Sequence, residues 1–141
     1  TPVVNLRWSE LDALREHKKK TPFSGTTAIV NKDNDAVWFS KNIIPAIRKE
    51  EKLREDSEFS PVHQHLGLYG YRKDVLEKFV AFSQGHYEQL EGLEQLRFLE
   101  YGISIHTVKL DVDLGLAQAG IDSPEDVTRA EAMIAEHGDV L

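Results

Sequence analysis

The chain has 141 residues, of which 40% are hydrophobic and 29% charged, which is typical of one globular domain with a buried core. Its formal net charge of −7 argues against general binding to nucleic acid or to an anionic membrane. It contains no cysteine, which excludes a disulfide framework, a thiolate zinc site and a cysteine nucleophile. We find neither a membrane-length apolar run nor a signal-peptide pattern, so we expect a cytoplasmic protein. The chain begins at Thr1 rather than at methionine, and we expect it to be a piece of a longer protein.

The start of the chain predicts a short helix. Ser9 followed by Asp12 resembles a capping box, although glutamate or glutamine is the usual third residue after the cap. The basic run HKKK at 17–20 would lie in the last turn, where the helix dipole favours positive charge. In an acidic chain we expect these basic side chains to be solvated.

Two β-prone runs follow at 26–30 and 36–39, and the turn-forming residues 31–35 separate them. This pattern predicts a β-hairpin. The charge-dense segment 49–59 comes next, and we expect a solvated loop or a surface helix there. Its charges therefore indicate a solvated surface rather than a site.

Residues 64–72 (QHLGLYGYR) resemble a binding surface more than any other stretch. They predict one strand with a leucine-bearing face and an opposite, polar face. The residues of the polar face are His65, Gly67, Tyr69 and Tyr71. Glycine weakens a strand and commonly marks the close approach of a ligand or another backbone. The pattern favours a ligand-sized polar surface, although an ordinary half-exposed sheet face has the same composition.

Two helices are predicted after this strand. Segment 73–82 has apolar residues at helical spacing and one face that should be buried. A second helix is predicted over about 87–101, with a glycine following in the C-cap position. Glu94 and Arg97 share its apolar stripe. Either these two residues pair with each other, or Glu94 and its neighbour Gln95 face a polar ligand.

The C-terminal part predicts a strand over 103–110 and then a helix. Asp111 and Asp113 follow the strand and are more simply solvated acids than a metal pair. Ser123 is the predicted N-cap of the helix, with a proline at the first helical position and apolar residues 127, 130 and 134 on a buried face. Asp122 either complements the helix N-terminus or offers a rigid carboxylate to a hard cation.

Four short motifs occur in the order WFSK at 38–41, HLGLYGYR at 65–72, LEQLR at 93–97 and GIDSPED at 120–126. Together they resemble the second half of the 3-deoxy-manno-octulosonate cytidylyltransferases, also called CMP-Kdo synthetases. Each motif alone is weak, but four in the family's order with comparable gaps are specific. The resemblance extends from about residue 26 to the end of the chain.

The resemblance implies an α/β fold with a mixed sheet flanked by helices. This is the C-terminal part of a nucleotide-diphospho-sugar transferase-like, Rossmann-like three-layer architecture. Residues 1–141 would form a single domain that binds the sugar acid and forms a homodimer. The family's N-terminal nucleotide-binding portion, with its glycine-rich basic loop and second metal aspartate, has no match in this sequence.

The implied reaction joins CTP to the sugar acid Kdo, forms CMP-Kdo for lipopolysaccharide and releases pyrophosphate, with Mg²⁺ as cofactor. The resemblance implies a catalytic, metal-binding Asp122, and sugar-acid contacts from Lys41, Arg48, His65, Tyr69, Glu94 and Gln95. Lys41 and Arg48 would lie near the sugar carboxylate. The family commonly has arginine where this chain has Lys41, and lysine lacks the planar fork that binds a carboxylate bidentately.

Three alternatives stay open at this point. The chain could be a non-catalytic dimerising or regulatory module without a CTP site. It could also belong to a sister enzyme that uses 8-amino-Kdo, or to one that uses a sialic acid, which the HLGLYGYR strand disfavours. Residues 1–20 lack a close match and are interpreted as an insertion. We expect the fragment alone to be inactive and to bind neither nucleic acid nor a membrane.

Overall fold

A computed structural model of the chain describes residues 1–111 and 124–138. The chain divides into two compact units, Thr1–Asp111 and Val112–Leu141. In the second unit the structure describes one helix. All predicted site residues except Asp122 lie in the first unit.

The first unit is built on a five-stranded mixed sheet. Its strands are β1 (Pro2–Arg7), β2 (Thr27–Val30), β3 (Ala36–Ser40), β4 (Phe59–His65) and β5 (Val108–Leu110). Their order across the sheet is β3-β2-β4-β1-β5. β4 pairs antiparallel with both β1 and β2, while β1 pairs parallel with β5. The predicted α/β class with a mixed sheet is confirmed.

Helices connect these strands and cover the sheet. They are α1 (Trp8–Lys20), α2 (Glu50–Asp56), α3 (Lys73–Ala81), α4 (His86–Glu91) and α5 (Leu96–Glu100). One cluster of buried apolar side chains joins Val3 and Phe39 of the sheet to Phe79 and Phe98 of the helices. α1 packs against β1 and β4 through its buried Trp8. Apolar burial on this scale is the main driving force that orders the sheet.

The predicted hairpin is confirmed by the antiparallel pairing of β2 with β3. Its turn is stabilised by Asn31, whose Oδ1 accepts hydrogen bonds from the backbone N–H groups of Asp33 and Asp35, each at 2.9 Å. Asn34 adopts a left-handed conformation with φ 63°. Asparagine tolerates that conformation better than most side chains, which explains why this polar segment turns so tightly.

The prediction of one strand over 64–72 is wrong. β4 ends at His65, and the Leu68 N–H donates to the Leu66 carbonyl at 2.7 Å in a three-residue turn centred on Gly67. The turn takes the chain out of the sheet and leaves the Leu68 side chain 69% exposed. Alternation of side chains between two faces therefore stops at His65.

The single helix predicted over 87–101 is also wrong. Gly92 has a left-handed φ of 63° and ends α4, and α5 begins only at Leu96. Arg97 forms a bidentate pair with the buried Glu88 rather than the alternative pair with Glu94, with N–O distances of 2.7 and 2.6 Å.

Other elements differ from prediction at their ends. α1 begins one residue before Ser9, and the Glu10 carboxylate accepts a hydrogen bond from the Arg7 N–H at 2.6 Å. The strand expected over 103–110 is limited to β5. In α3 only Phe79 is buried, so the expected apolar face is partly exposed.

The C-terminal helix predicted after Ser123 is confirmed as α6 (Pro124–His137). Gly138 follows it with a left-handed φ of 81°, as expected of a residue just past a helix end. The face predicted to be buried is instead exposed, since Val127 is 41% and Ile134 is 56% accessible. Asp122 and Ser123 lie outside the described residues.

The segment predicted as a solvated loop or surface helix is α2, which buries no residue. It is nevertheless held against α1 by a network of four charges. Arg15 binds the Glu50 carboxylate with both of its terminal nitrogens, at 2.8 and 2.7 Å. Arg54 binds both Glu50 and Asp12, and its guanidinium lies 4.5 Å from the Trp8 ring centre. Charge pairing rather than apolar burial positions this helix.

We predict that Glu50→Gln lowers the free energy of unfolding by about 1 kcal/mol at pH 7. Hydrogen bonds from Arg15 and Arg54 lower the pKa of Glu50 to about 2, so the network stabilises the fold above the ordinary glutamate range. This contribution is lost as the pH falls towards 2, and the difference between wild type and variant should shrink there. Urea unfolding at several pH values measures it.

The matched control is Glu51→Gln, a change of the neighbouring exposed carboxylate on the same helix. It should leave the urea midpoint within experimental error. Equal effects of the two variants, or an effect of Glu50→Gln that is insensitive to 1 M NaCl, would contradict the network.

Candidate functional site

The register of the sheet places two predicted site residues at one end of it. Thr27 of β2 pairs with Ser40 on one side and with Gln64 on the other. Lys41 and His65 are the next residues along β3 and β4, which flank β2 on opposite sides. They therefore emerge from the same end of the sheet, although 24 residues separate them in sequence.

His65 is packed among aromatic rings at this end. Its ring centre lies 5.0 Å from that of Phe39 and 5.4 Å from that of Tyr69. Burial, aided by the nearby amino group of Thr1 and by Lys41, lowers the pKa of His65 to about 4. The imidazole is therefore neutral at physiological pH.

The tautomer of His65 follows from its hydrogen-bond partner. Its Nε2 lies 2.9 Å from the Thr1 hydroxyl, which is itself placed to donate to the Leu68 carbonyl at 2.8 Å. A hydroxyl has one proton, so Thr1 must accept from the Nε2–H of His65. We infer that Nδ1 of the neutral ring is left as a hydrogen-bond acceptor.

Tyr69 begins a column of stacked rings. Its ring lies 5.6 Å from Tyr71, which lies 5.7 Å from Phe98 of the core. The Tyr69 hydroxyl is buried and makes no hydrogen bond of normal geometry with the described residues. Burial raises the pKa of this hydroxyl, as do the nearby Tyr71 and Glu94, so it stays a protonated donor. A hydrogen bond to Thr1 acts in the opposite sense and lowers this pKa, so the hydroxyl has a weak neighbour in the protein and can also donate to a polar ligand.

A cavity of about 240 Å³ opens beside these rings. Tyr69, Tyr71 and Phe98 form its aromatic wall, and Arg72 and His106 contribute polar groups. An aromatic wall with a few polar groups is the usual character of a small-molecule pocket.

Two cations of the predicted site are free of carboxylate partners. Within residues 1–111, five of the six arginines form an ion pair and Arg48 does not. The Lys41 side chain likewise forms no ion pair with the described residues. Unpaired cations of this kind are available to an anionic ligand.

Glu94 and Gln95 lie in the link between α4 and α5. Glu94 is exposed, and its charge contributes to the raised pKa of both Tyr69 and Tyr71, which places it near the aromatic column. Gln95 is buried with 8% of its surface accessible. Neither side chain makes a hydrogen bond with the described part of the chain. Of the two alternatives for Glu94, the described residues show no ion pair with Arg97, which leaves its carboxylate available to a ligand.

The structure thus brings Lys41, His65, Tyr69 and Glu94 into one neighbourhood. Among the described residues, no hydrogen bond, ion pair or ring contact joins Arg48 to that group. Asp122 lies outside the described residues, and its predicted role stays a prediction. Among the described residues, no three histidine or carboxylate side chains are grouped to hold a metal ion.

Sequence reasoning missed the contribution of Thr1 to this neighbourhood. Its hydroxyl touches His65 and the turn that follows β4. The partners lie more than 60 residues away in sequence, so no local pattern could have indicated the contact.

The arrangement combines three chemical capacities. Lys41 supplies positive charge, Glu94 and Nδ1 of His65 accept hydrogen bonds, and the Tyr69 hydroxyl donates one. Such a set suits a ligand that carries both a carboxylate and hydroxyl groups. No group in it is placed as a nucleophile next to an activating base.

Comparison with known protein families gives a match to the family model described as cytidylyltransferase, over residues 9–105. The chain belongs to the cytidylyltransferase family. The matched region contains α1 to α5 and every predicted site residue except Asp122.

Two relatives of this cytidylyltransferase chain are both named 3-deoxy-manno-octulosonate cytidylyltransferase. The chain is 43% identical to the one from Maricaulis maris over 141 residues, which is 100% of this chain and 52% of the relative. It is 39% identical to the protein of that name from Phocaeicola vulgatus over 77% of this chain and 41% of the relative. The chain spans about half the length of these curated relatives.

A solved structure is similar to the chain with a TM-score of 0.72 and 29% identity, over 96% of this chain and 48% of the other. It is the structure of CMP:2-keto-3-deoxy-manno-octonic acid synthetase complexed with CTP. The predicted resemblance and the predicted fold class are both confirmed. No helix among the described residues has the length and apolar character needed to cross a bilayer.

We predict that the stability of the cytidylyltransferase chain depends on His65 between pH 6.5 and 4. The unfolded chain binds a proton in this interval that the folded His65 does not, so acidification favours unfolding. We expect wild type to lose about 2 kcal/mol more than His65→Gln over this interval. Urea unfolding at half-unit pH steps measures the difference.

His63→Gln is the control, because burial and Lys109 also lower the pKa of His63. His63→Gln should remove only the contribution of His63 to the pH dependence of the free energy of unfolding. The contribution of His65 should stay unchanged. Parallel pH profiles for wild type and His65→Gln would show that His65 is protonated normally in the folded state.

Proposed function

We propose that this chain is the C-terminal, sugar-acid-binding portion of a 3-deoxy-manno-octulosonate cytidylyltransferase. The observation that most directly supports this is the 43% identity to a protein of that name over all 141 residues. The geometry agrees with the assignment, because Lys41, His65, Tyr69 and Glu94 offer the groups that a polyhydroxylated acid requires. The relatives are named as enzymes and do not favour the alternative of a non-catalytic module.

The reaction is the transfer of a cytidylyl group from CTP to the sugar acid. The anomeric hydroxyl of Kdo attacks the α-phosphorus of CTP, a new P–O bond forms, and the bond to pyrophosphate breaks. Catalysis of this kind depends mainly on positioning and on neutralising charge. In this proposal the present chain holds the acceptor, and a separate N-terminal portion holds the nucleotide. The chain alone would be inactive.

Each side chain has a distinct role in holding the acceptor. Lys41 and Arg48 bind the carboxylate of Kdo, and neither has a carboxylate partner among the described residues that would compete. Tyr69 donates its buried hydroxyl to a sugar oxygen. Glu94, Gln95 and Nδ1 of His65 accept from sugar hydroxyls. This set orients the anomeric hydroxyl towards the nucleotide and keeps two anionic substrates together.

We also propose that Mg²⁺ is the cofactor and that Asp122 supplies a carboxylate to it. Magnesium prefers oxygen ligands and, when bound, offsets charge on the triphosphate. The further ligands would come from the N-terminal portion and from the phosphates. A homodimer, a cytoplasmic location and the choice of Kdo over 8-amino-Kdo stay predictions.

We predict that Arg48→Met in the complete enzyme raises KM for Kdo by about 10- to 100-fold, the loss expected for one charged contact to a carboxylate. The KM for CTP should change little. The control is Arg7→Met, since the charge of Arg7 is already paired with Glu58 at 3.0 Å. Steady-state kinetics of pyrophosphate release measure both constants. An unchanged KM for Kdo in Arg48→Met would remove Arg48 from the site.

We predict that Asp122→Asn in the complete enzyme lowers turnover at least 100-fold at saturating substrates, because an amide is a poor ligand for a hard cation. Raising the magnesium concentration should restore part of the activity. Asp126→Asn is a control carboxylate a few residues further along the chain. Near-normal pyrophosphate release by Asp122→Asn would contradict the metal assignment.

A further inference from the structure

We propose that Lys18 and Glu91 are positioning residues that fix the backbone of Lys41 and thereby direct its ammonium group to the carboxylate of the acceptor. The proposal rests on the proposed function, because it names what holds one cation of the acceptor site in place. Neither Lys18 nor Glu91 belongs to the predicted site. Both act through Lys41.

Glu91 holds the backbone at the exit of β3. It is the last residue of α4, and its Oε1 accepts a hydrogen bond at 2.8 Å from the hydroxyl of the buried Ser40. Its Oε2 accepts one at 2.8 Å from the backbone N–H of Lys41. The same carboxylate therefore fixes the direction in which the chain leaves the sheet, with both of its oxygens used.

Lys18 holds the other side of the same peptide. Its ammonium donates at 2.5 Å to the backbone carbonyl of Lys41. It also contacts the carbonyls of Ser24 and Gly25 in the turn after α1. Burial, followed by the repulsion of Lys41, lowers the pKa of Lys18. The expected solvation of this lysine is therefore wrong, because it lies in a partly buried cage of carbonyl oxygens.

Thr27 completes the support of this loop. Its hydroxyl donates to the Asn42 carbonyl at 2.7 Å and accepts from the Ile44 N–H at 3.1 Å. The backbone over 40–44 is thus held by side chains from α1, β2 and α4. The side chain of Lys41, by contrast, forms no ion pair with the described residues. A rigid backbone with a free cation is the arrangement that preorganises a ligand contact.

The consequence for the enzyme is specific to one substrate. Loss of either support frees the Lys41 peptide, so its side chain must be ordered again when the acceptor binds. The cost appears in the KM for the sugar acid rather than in kcat or in the KM for the nucleotide. A purely structural role would instead change stability and all kinetic constants together.

The experiment uses the complete enzyme with Lys18→Met and Glu91→Gln. Each variant should raise KM for Kdo by 5- to 30-fold and change kcat and the KM for CTP less than threefold. The controls are Lys19→Met and Glu77→Gln, whose side chains are exposed and form only local pairs. Equal rises in both KM values, or no rise for Kdo, would overturn the proposal.

A double-mutant cycle tests whether the effect passes through Lys41. In a Lys41→Met background, adding Lys18→Met or Glu91→Gln should raise KM for Kdo no further. Additive effects would show that the supports act by another route. Since Lys41→Met changes neither support, misfolding of the single variants would also appear as an additional loss in the double variants.

Hydrogen exchange separates this proposal from the proposed function. The amide of Lys41 should exchange at least tenfold faster in Glu91→Gln than in wild type, while amides of β1 and β4 stay unchanged. This readout needs no substrate. If wild type fails to make CMP-Kdo but the exchange result holds, the proposed function fails and the positioning of Lys41 stands. Unchanged exchange at Lys41 would refute the positioning whatever the activity.

Discussion

The pairing of β2 with both β3 and β4 is the interaction on which the rest of this structure depends. Thr27 lies between Ser40 and Gln64, so two strands distant in sequence end at the same edge of the sheet, one on each side of β2. Its fully buried hydroxyl then anchors the loop that follows β3. One residue thus sets both the register of the sheet and the course of the chain beyond it. A shift of one position would turn every side chain of β2 to the opposite face.

Charge is used in two different ways along the chain. Arg97 with Glu88 joins α5 to α4, and Arg15 with Glu50 joins α1 to α2. These groups have ionised partners at hydrogen-bond distance, so they stabilise the fold and have little capacity left for a ligand. The cations assigned to the acceptor site have no such partner in the part of the chain that the structure describes. A folded protein tolerates unpaired charge mainly where solvent or a ligand can reach it. Paired charges therefore belong to the scaffold, and the unpaired cations are candidates for ligand binding.

The hairpin and α6 could be predicted because their determinants are local, a turn-forming segment in one case and a cap followed by proline in the other. The break at Gly92 and the turn at Gly67 were missed because glycine also occurs inside regular elements. The partners of Arg97 and Lys18 were missed for a different reason. Sequence spacing indicates which residues share a face, but it does not indicate which distant backbone or carboxylate lies opposite. Lys41 and Arg48 are predicted as site residues through family resemblance alone, whereas the residue pattern also indicated His65 and Tyr69.

The parallel pairing of β1 with β5 has a consequence for how the chain folds. Pro2 lies opposite Val108, so this edge of the sheet forms between segments more than 100 residues apart. Closing so large a loop is entropically costly, and contacts of this kind form late. The hairpin of β2 and β3 can form early, whereas the outermost pair of strands must wait until nearly the whole first unit has been synthesised. During that interval β1 presents an unpaired edge, and an unpaired edge can bind a wrong partner during synthesis.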